Sequence, residues 1–235
     1  MQSIYLSLDK MSYERTEQVN TLRSNIQFAG NDKKVIMVTS CIQGEGKSSV
    51  SLDLAASLAA LEKNVLLIDA DLRASVFMGK ITGNKPQVGL SHVLSGQATV
   101  KDAVYATNVP GLYSMVAGPV PPNPTELLSA QEFSELIQSL RAIYDYIIID
   151  SAPLGMVVDA AILAKNCDGA ILLIESGVIK KKFAQKVKAH LASTGCPILG
   201  VVLTKMKTSA SSRYYGKYYG RYYGKKSKEY KAKIK

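Results

Sequence analysis

The sequence predicts an α/β protein built on one doubly wound, mostly parallel sheet. Three observations carry that expectation. Uncharged apolar runs at residues 65–68, 147–149 and 170–174 are strand-sized and do not alternate with polar residues, as suits strands buried on both faces. Stretches with apolar residues three or four apart separate them, so strands and helices take turns. One further run, residues 35–38, passes into a glycine-containing turn and then into Lys47-Ser48, which opens a helical pattern.

In chain order, the segment 1–33 is polar apart from a helical stripe of Val19, Leu22, Ile26 and Phe28 that begins near Ser12-Tyr13-Glu14. On that helix Glu17, Asn20 and Arg23 share one side, either as solvated groups or as a contact between subunits. After the glycine turn, Val50, Leu54, Leu58 and Leu61 mark a helix ending near residues 62–64. The run 65–68 leads straight into Asp69-Ala70-Asp71-Leu72-Arg73. Short helices are expected at 90–94 and 100–105, a strand at 112–116, and a proline-stiffened loop at 119–124. A helix from Glu126 through Leu140 precedes a strand at 146–149 that ends in Asp150. A helix at 160–164, a strand at 170–174, a basic helix at 180–191 and a strand at 198–203 complete the body. In such a sheet, ligands sit outside the carboxyl ends of the strands, where Asp69, Asp71, Asp150 and the glycine turn all fall.

Composition narrows the function classes. A chain of 235 residues, 47% apolar, suffices for one full core. No apolar run approaches the ~20 residues of a membrane span, and the start of the chain has no apolar core of a signal peptide. Cys41, Cys167 and Cys196 lie far apart without a C-x-x-C pair, which suits a reducing cytoplasm and argues against zinc or iron–sulfur sites. Residues 1–204 hold 18 basic and 18 acidic side chains, so the net charge of +10 resides wholly in residues 205–235. That break marks where the folded body ends, so the chain reads as a helical segment 1–33, a main domain 34–204 and a basic tail 205–235.

The chemistry starts at the glycine turn. The pattern G-x-x-x-x-G-K-[ST] is met at Gly46, Lys47 and Ser48, with Cys41 in place of the first glycine. Gly44 and Gly46 let backbone N–H groups close around phosphate, and the helix start adds partial positive charge. The loop residues Gln43, Gly44, Glu45, Gly46, Lys47, Ser48 and Ser49 are therefore the expected nucleotide contacts. Lys47 reaches the β- and γ-phosphates, while Ser48 and a strand-end carboxylate, Asp150, suit Mg²⁺, which is hard and oxygen-liganded. One such Asp is often only a helix cap. Three at two strand ends, beside this loop, point to an ATP- and Mg²⁺-binding P-loop NTPase fold.

Residues 44–48 (GEGKS), 65–73 (VLLIDADLR) and 147–153 (IIIDSAP) together resemble the Walker A, A′ and B motifs of bacterial tyrosine kinases. Residues 121–128 (PPNPTELL) and the tyrosine-rich end resemble that family too. The resemblance runs from about residue 14 to the end and is closest to the short cytoplasmic kinases of Gram-positive capsule and exopolysaccharide operons. It implies a ring-forming, ATP-dependent kinase that phosphorylates its own tyrosine cluster between subunits. It also implies activation by a separate membrane protein, reversal by a cognate phosphatase, and a cytoplasmic protein recruited to the inner face of the membrane. Lys47, Asp69, Asp71 and Asp150 would be the catalytic set, with Ser48, Asp69 and Asp150 near the metal. Asp69 and Asp71 share the roles of metal support and acceptor of the tyrosyl proton, in either order. Arg73 either stabilises phosphate charge or pairs with a carboxylate. Glu17 and Arg23 match the family's oligomer motif, but Asn20 stands where its first arginine would be and cannot make a bidentate carboxylate pair. Thr204 replaces an asparagine near the base.

The tail carries three [Lys/Arg]-Tyr-Tyr-Gly repeats and seven of the 13 tyrosines. Such composition argues for disorder. It suits a solvated tail, a nucleic-acid binder, or a phosphoacceptor. Joined to a kinase-like body, the third is the expectation, with Tyr214, Tyr215, Tyr218, Tyr219, Tyr222 and Tyr223 as acceptors and no nucleic-acid partner. The nearest rival of another class is a partitioning or septum-positioning ATPase that binds membrane or nucleic acid. Its second P-loop lysine falls at Ile42 here, so no lysine is available to reach a partner's nucleotide.

Overall fold

The structure, a computed structural model, describes residues 2–8, 10–30 and 32–206. Nine strands form its sheet: β1 Ser3–Leu6, β2 Val35–Ser40, β3 Val65–Asp69, β4 Ile81–Thr82, β5 Tyr105–Thr107, β6 Leu112–Met115, β7 Tyr146–Asp150, β8 Gly169–Glu175 and β9 Ile198–Thr204. Their order across the sheet is β4-β1-β5-β6-β3-β7-β2-β8-β9. From β6 to β9 every pairing is parallel, whereas β5–β6 and β1–β4 are antiparallel. The helices are α1 Tyr13–Phe28, α2 Lys47–Ala59, α3 Leu90–Leu94, α4 Val100–Ala103, α5 Pro124–Ser129, α6 Gln131–Arg141, α7 Asp159–Ala164 and α8 Lys181–Ser193. Among the described residues no helix is long and apolar enough to cross a membrane.

Strand periodicity explains the two-sided winding. In β2, Val35 and Met37 join one core while Ile36 and Val38 join the other. Likewise Leu66 and Ile68 oppose Val65 and Leu67, and Ile147 and Ile149 oppose Ile148. On one side α6, α7 and α8 supply Ile137, Leu163 and Leu191; on the other α2 supplies Leu52, Leu54 and Leu58, and α1 supplies Ile26. A strand covered by helices on both sides has no use for a polar residue until it ends, which is why these runs are continuous.

Several local expectations differ from what forms. The segment 1–33 contains β1 as well as its helix, and β1 joins the sheet beside β5. Its four residues, one strand in from the sheet edge, leave too short a pattern to read. Tyr105 begins a strand instead of ending a helix, because its hydroxyl is drawn in to donate to the Val88 carbonyl at 3.0 Å. The helix expected over 126–140 is two, broken at Ala130, whose extended backbone (ψ 157°) ends α5 and caps α6. Leu61 lies past the end of α2, and Phe28 points to solvent with 85% of its surface exposed. The tail tyrosines Tyr214, Tyr215, Tyr218, Tyr219, Tyr222 and Tyr223, and the disorder expected there, lie outside the described residues.

On α1, Glu17 is exposed and accepts from the Asn20 amide at 3.5 Å, but Arg23 is turned inward. Its guanidinium donates to the Ser57 carbonyl at 3.0 Å and to the Ser57 hydroxyl at 2.8 Å, tying α1 to α2. Arg15 makes a second tie, donating to the Asp53 carboxylate at 2.6 Å. Arg23→Ala is therefore expected to lower stability by about 1–2 kcal/mol, read as a fall in Tm. Light scattering on the same variant tells whether the side chain also serves a subunit contact.

Candidate active site

The strand order brings the three site loops side by side. β7 lies between β3 and β2, and Asp69 pairs in register with Asp150. Val38 of β2 also pairs with Asp150, so the loop that follows Ser40 starts beside it. That loop, residues 41–46, is held from within. The Ser40 hydroxyl donates to the Ile42 carbonyl at 2.7 Å. The Glu45 side chain, fully buried, accepts from the Ile42 N–H at 2.8 Å and from the Glu175 N–H at 2.6 Å. Glu45 therefore staples the loop to the end of β8, and its carboxylate is turned away from the cradle. Gly44 (φ 83°) and Gly46 (φ 90°) sit in the left-handed region, and nothing lies within 4 Å of where a Cβ would be. They are glycine for the backbone turn and the open space above it. Gln43 and Gly44 are exposed, and Ser48 and Ser49 are half-buried at the start of α2.

Lys47 is the first residue of α2 and is 7% exposed. Its ammonium and a hydrogen bond from Ser48 both pull the Asp150 carboxyl down, against a larger upward push from burial. The Ser51 hydroxyl also donates to Asp150, at 3.4 Å. Asp69 is 1% exposed, and burial first, then the Asp150 charge, hold its carboxyl well above the usual range. It accepts from the Ser75 hydroxyl and, at 3.2 Å, from the Asp71 N–H. Two buried carboxyl groups side by side, with Lys47 against Asp150, resist being ionised together, and a bound cation would relieve that.

Asp71 is half-buried and caps its own turn, accepting from the Arg73 N–H at 3.3 Å and the Ala74 N–H at 3.0 Å. Arg73 resolves toward carboxylate pairing. Its Nε donates to one oxygen of Asp159 at 2.6 Å and an Nη to the other at 3.0 Å, while the same Nη reaches the Thr125 hydroxyl at 2.6 Å. Asp159 is fully buried at the start of α7 and also accepts from Thr125 at 3.0 Å. Asp159, Thr125 and Ser75 are site-supporting residues that the sequence reading omits. A lone Asp before Ala160-Ala161-Ile162 carries no signal beyond a helix start. At the far side, Thr204 ends β9 with its buried hydroxyl unpartnered among the described residues.

The donor chemistry fits a metal-bound nucleotide. The glycine cradle and helix start offer N–H groups to phosphate. Among the described residues no three His, Cys, Asp or Glu form a protein-only metal cage. A hydroxyl plus carboxylates at a phosphate cradle is instead the set that suits Mg²⁺, which keeps waters and takes phosphate oxygens.

Comparison with known proteins agrees. A family described as "AAA domain" matches residues 33–177. The tyrosine-protein kinase CpsD of Streptococcus agalactiae serotype III is 44% identical over 196 residues, 83% of this chain and 84% of its own. The solved kinase domain of VpsO superposes with a TM-score of 0.72 at 34% identity, covering 84% of this chain and 100% of that one. The septum site-determining protein MinD of Pyrococcus horikoshii, solved as a complex with Mg-ADP, gives a TM-score of 0.60 at 28% identity, over 72% and 69% of the two chains.

Proposed function

This chain belongs to the bacterial tyrosine kinases of the P-loop type, and on that premise we propose how its residues divide the work of moving a phosphate from ATP to tyrosine. The protein is an ATP-dependent tyrosine kinase with a regulatory role in capsule or exopolysaccharide synthesis. The single observation that carries the division of labour is the register pairing of Asp69 with Asp150 beside the loop that ends in Lys47. Loop N–H groups from Gln43 to Ser49 and the Lys47 ammonium hold the phosphates. Ser48 and Asp150 hold Mg²⁺, with Asp69 behind them. The metal supplies charge neutralisation on the phosphate oxygens. Asp71 is the group that takes the tyrosyl proton. What supports this choice over Asp69 is access: Asp69 is sealed under Ser75, whereas Asp71 is half-open. As the phenolic O–H gives its proton to Asp71, the phenolic oxygen bonds to the γ-phosphorus. The bond from that phosphorus to the β–γ bridging oxygen breaks, and ADP leaves. Arg73 contributes by fixing the Asp71 turn against Asp159. Positioning and electrostatics account for most of such a transfer.

The acceptors proposed are Tyr214, Tyr215, Tyr218, Tyr219, Tyr222 and Tyr223 of a second copy of the chain. Each phosphate adds about −1.5 to −2 charges, so six would cancel the +10 of the tail and loosen contacts that depend on it. The remaining proposed partners are a membrane protein whose cytoplasmic segment activates the kinase, and a phosphatase that resets it. A chain ending after residue 207 is expected to bind ATP normally yet show at least tenfold less self-phosphorylation. Mixed with full-length Lys47→Met protein, it should place phosphate on the inactive chain within residues 214–223. Adding the activator's cytoplasmic segment should raise that rate. Mass spectrometry finding the phosphate chiefly on Tyr105 or Tyr144 would remove the tail as acceptor.

A further inference from the structure

Three apolar side chains stand exposed in the two segments joined by Arg73 and Asp159: Val76 at 62%, Met156 at 59% and Val158 at 47%. Their places are set by contacts on either side of them. Gly155 lies so close to the phosphate loop that a Cβ on it would meet the Cys41 carbonyl oxygen at 2.1 Å. Asp159, one residue beyond Val158, grips Arg73. Ser75, one residue before Val76, donates to Asp69. The segments 73–76 and 155–159 are thus joined by the Arg73–Asp159 pair and together border the mouth of the site on its β3–β7 side. The phosphate loop follows β2, and β8 and β9 lie beyond it on the opposite side.

We infer that Val76, Met156 and Val158 form an apolar platform that seats the ring of the acceptor tyrosine. The inference rests on the kinase reading above and adds to it the surface that selects tyrosine. Apolar side chains offer nothing to phosphates or to a metal, so their exposure around an acidic site calls for a different occupant. Tyrosine needs both parts of this arrangement: an apolar wall for its ring and a base within reach of its hydroxyl. Serine and threonine have no ring to cover the wall and would leave it wet. The occupant is residues 213–223 of a second copy of the chain, where three Tyr-Tyr pairs each follow a Lys or Arg. Their positive charge complements a floor holding Asp69, Asp71 and Asp150. β9 runs parallel to β8, and β8 to β2, so β9 ends at the same carboxyl end of the sheet as the phosphate loop. There Lys205 pairs with Glu175, whose N–H bonds Glu45 of that loop.

The test uses the full chain and a synthetic peptide carrying the Arg-Tyr-Tyr-Gly repeat. Met156→Ser/Val158→Ser and Val76→Ser should each raise the KM for the peptide at least tenfold. Affinity for a fluorescent ATP analogue with Mg²⁺ should stay within twofold. Met156→Leu should retain most of the wild-type KM. Unchanged peptide KM in the serine variants, nucleotide affinity falling in step with it, or equal damage from Met156→Leu would each overturn the platform while leaving the kinase reading in place. A wild-type chain that binds the nucleotide and transfers nothing to tyrosine overturns the kinase reading, and the platform with it.

Discussion

Lys47→Met should abolish phosphotyrosine while leaving the protein folded. Lys47 is almost wholly buried at the first position of α2, yet methionine matches the length of its aliphatic stem and burial suits it. What is lost is a cation held against Asp150 at the end of the phosphate cradle. A preorganised charge aimed at phosphate oxygens in a site of low dielectric contributes about 3–4 kcal/mol to a transition state. The expected loss is therefore on the order of 10²–10³ in rate. A phosphotyrosine immunoblot after incubation with ATP and Mg²⁺ measures it, and thermal unfolding controls for the fold. Without Lys47, the Asp150 carboxyl loses one of the groups that pull it down, so it should stay protonated to still higher pH. Phosphotyrosine at the wild-type level in this variant would end the assignment of Lys47, and with it the account of the cradle.

Asp69→Asn should make the protein more stable and less active at once. In the folded chain burial and the Asp150 charge hold the Asp69 carboxyl above its ordinary range. In the unfolded chain it ionises within that range. Between the two, unfolding releases a proton, so the stability associated with a neutral Asp69 is present at acid pH and is lost as pH rises through the folded value. At neutral pH the ligand-free protein therefore carries the cost of keeping Asp69 protonated. Asparagine is neutral without taking up a proton and keeps both partners, since its oxygen still accepts from the Asp71 N–H and the Ser75 hydroxyl accepts from its amide. Stability without nucleotide or Mg²⁺ should rise by about 1–3 kcal/mol and lose part of its slope with pH. Kinase activity should fall at least tenfold, and Mg-ATP should raise the Tm of the variant less than that of the wild type. A ligand-free variant less stable than the wild type at neutral pH would show that Asp69 is held by its hydrogen bonds more than it is strained by charge.

The chain by itself determined the elements that carry strong burial on both faces. Residues 35–38, 65–68 and 147–149 could be read as central strands because helices cover each side and every position is apolar. The turn at Gly44 and Gly46 was legible for a similar reason: few sequences tolerate two left-handed backbone positions before Lys-Ser, and those that do close around phosphate. The carboxylates Asp69, Asp71 and Asp150 followed from their position at the strand ends.

Only the tertiary structure decided how these parts face one another. Nothing local says that β7 inserts between β2 and β3, yet that order sets Asp69 against Asp150 and creates the crowded pair. Arg73 and Asp159 are 86 residues apart, and a guanidinium pairs equally well with phosphate or carboxylate until the fold chooses. Glu45 reads as a nucleotide contact because it sits in the loop, but the end of β8 supplies an N–H that turns its side chain inward. Arg23, expected on an outer face of α1, is drawn onto Ser57 because α2 passes beneath it. Sequence periodicity records how deeply a residue is buried. Which partner it meets there depends on contacts between segments far apart in the chain, and those exist only once the sheet is assembled.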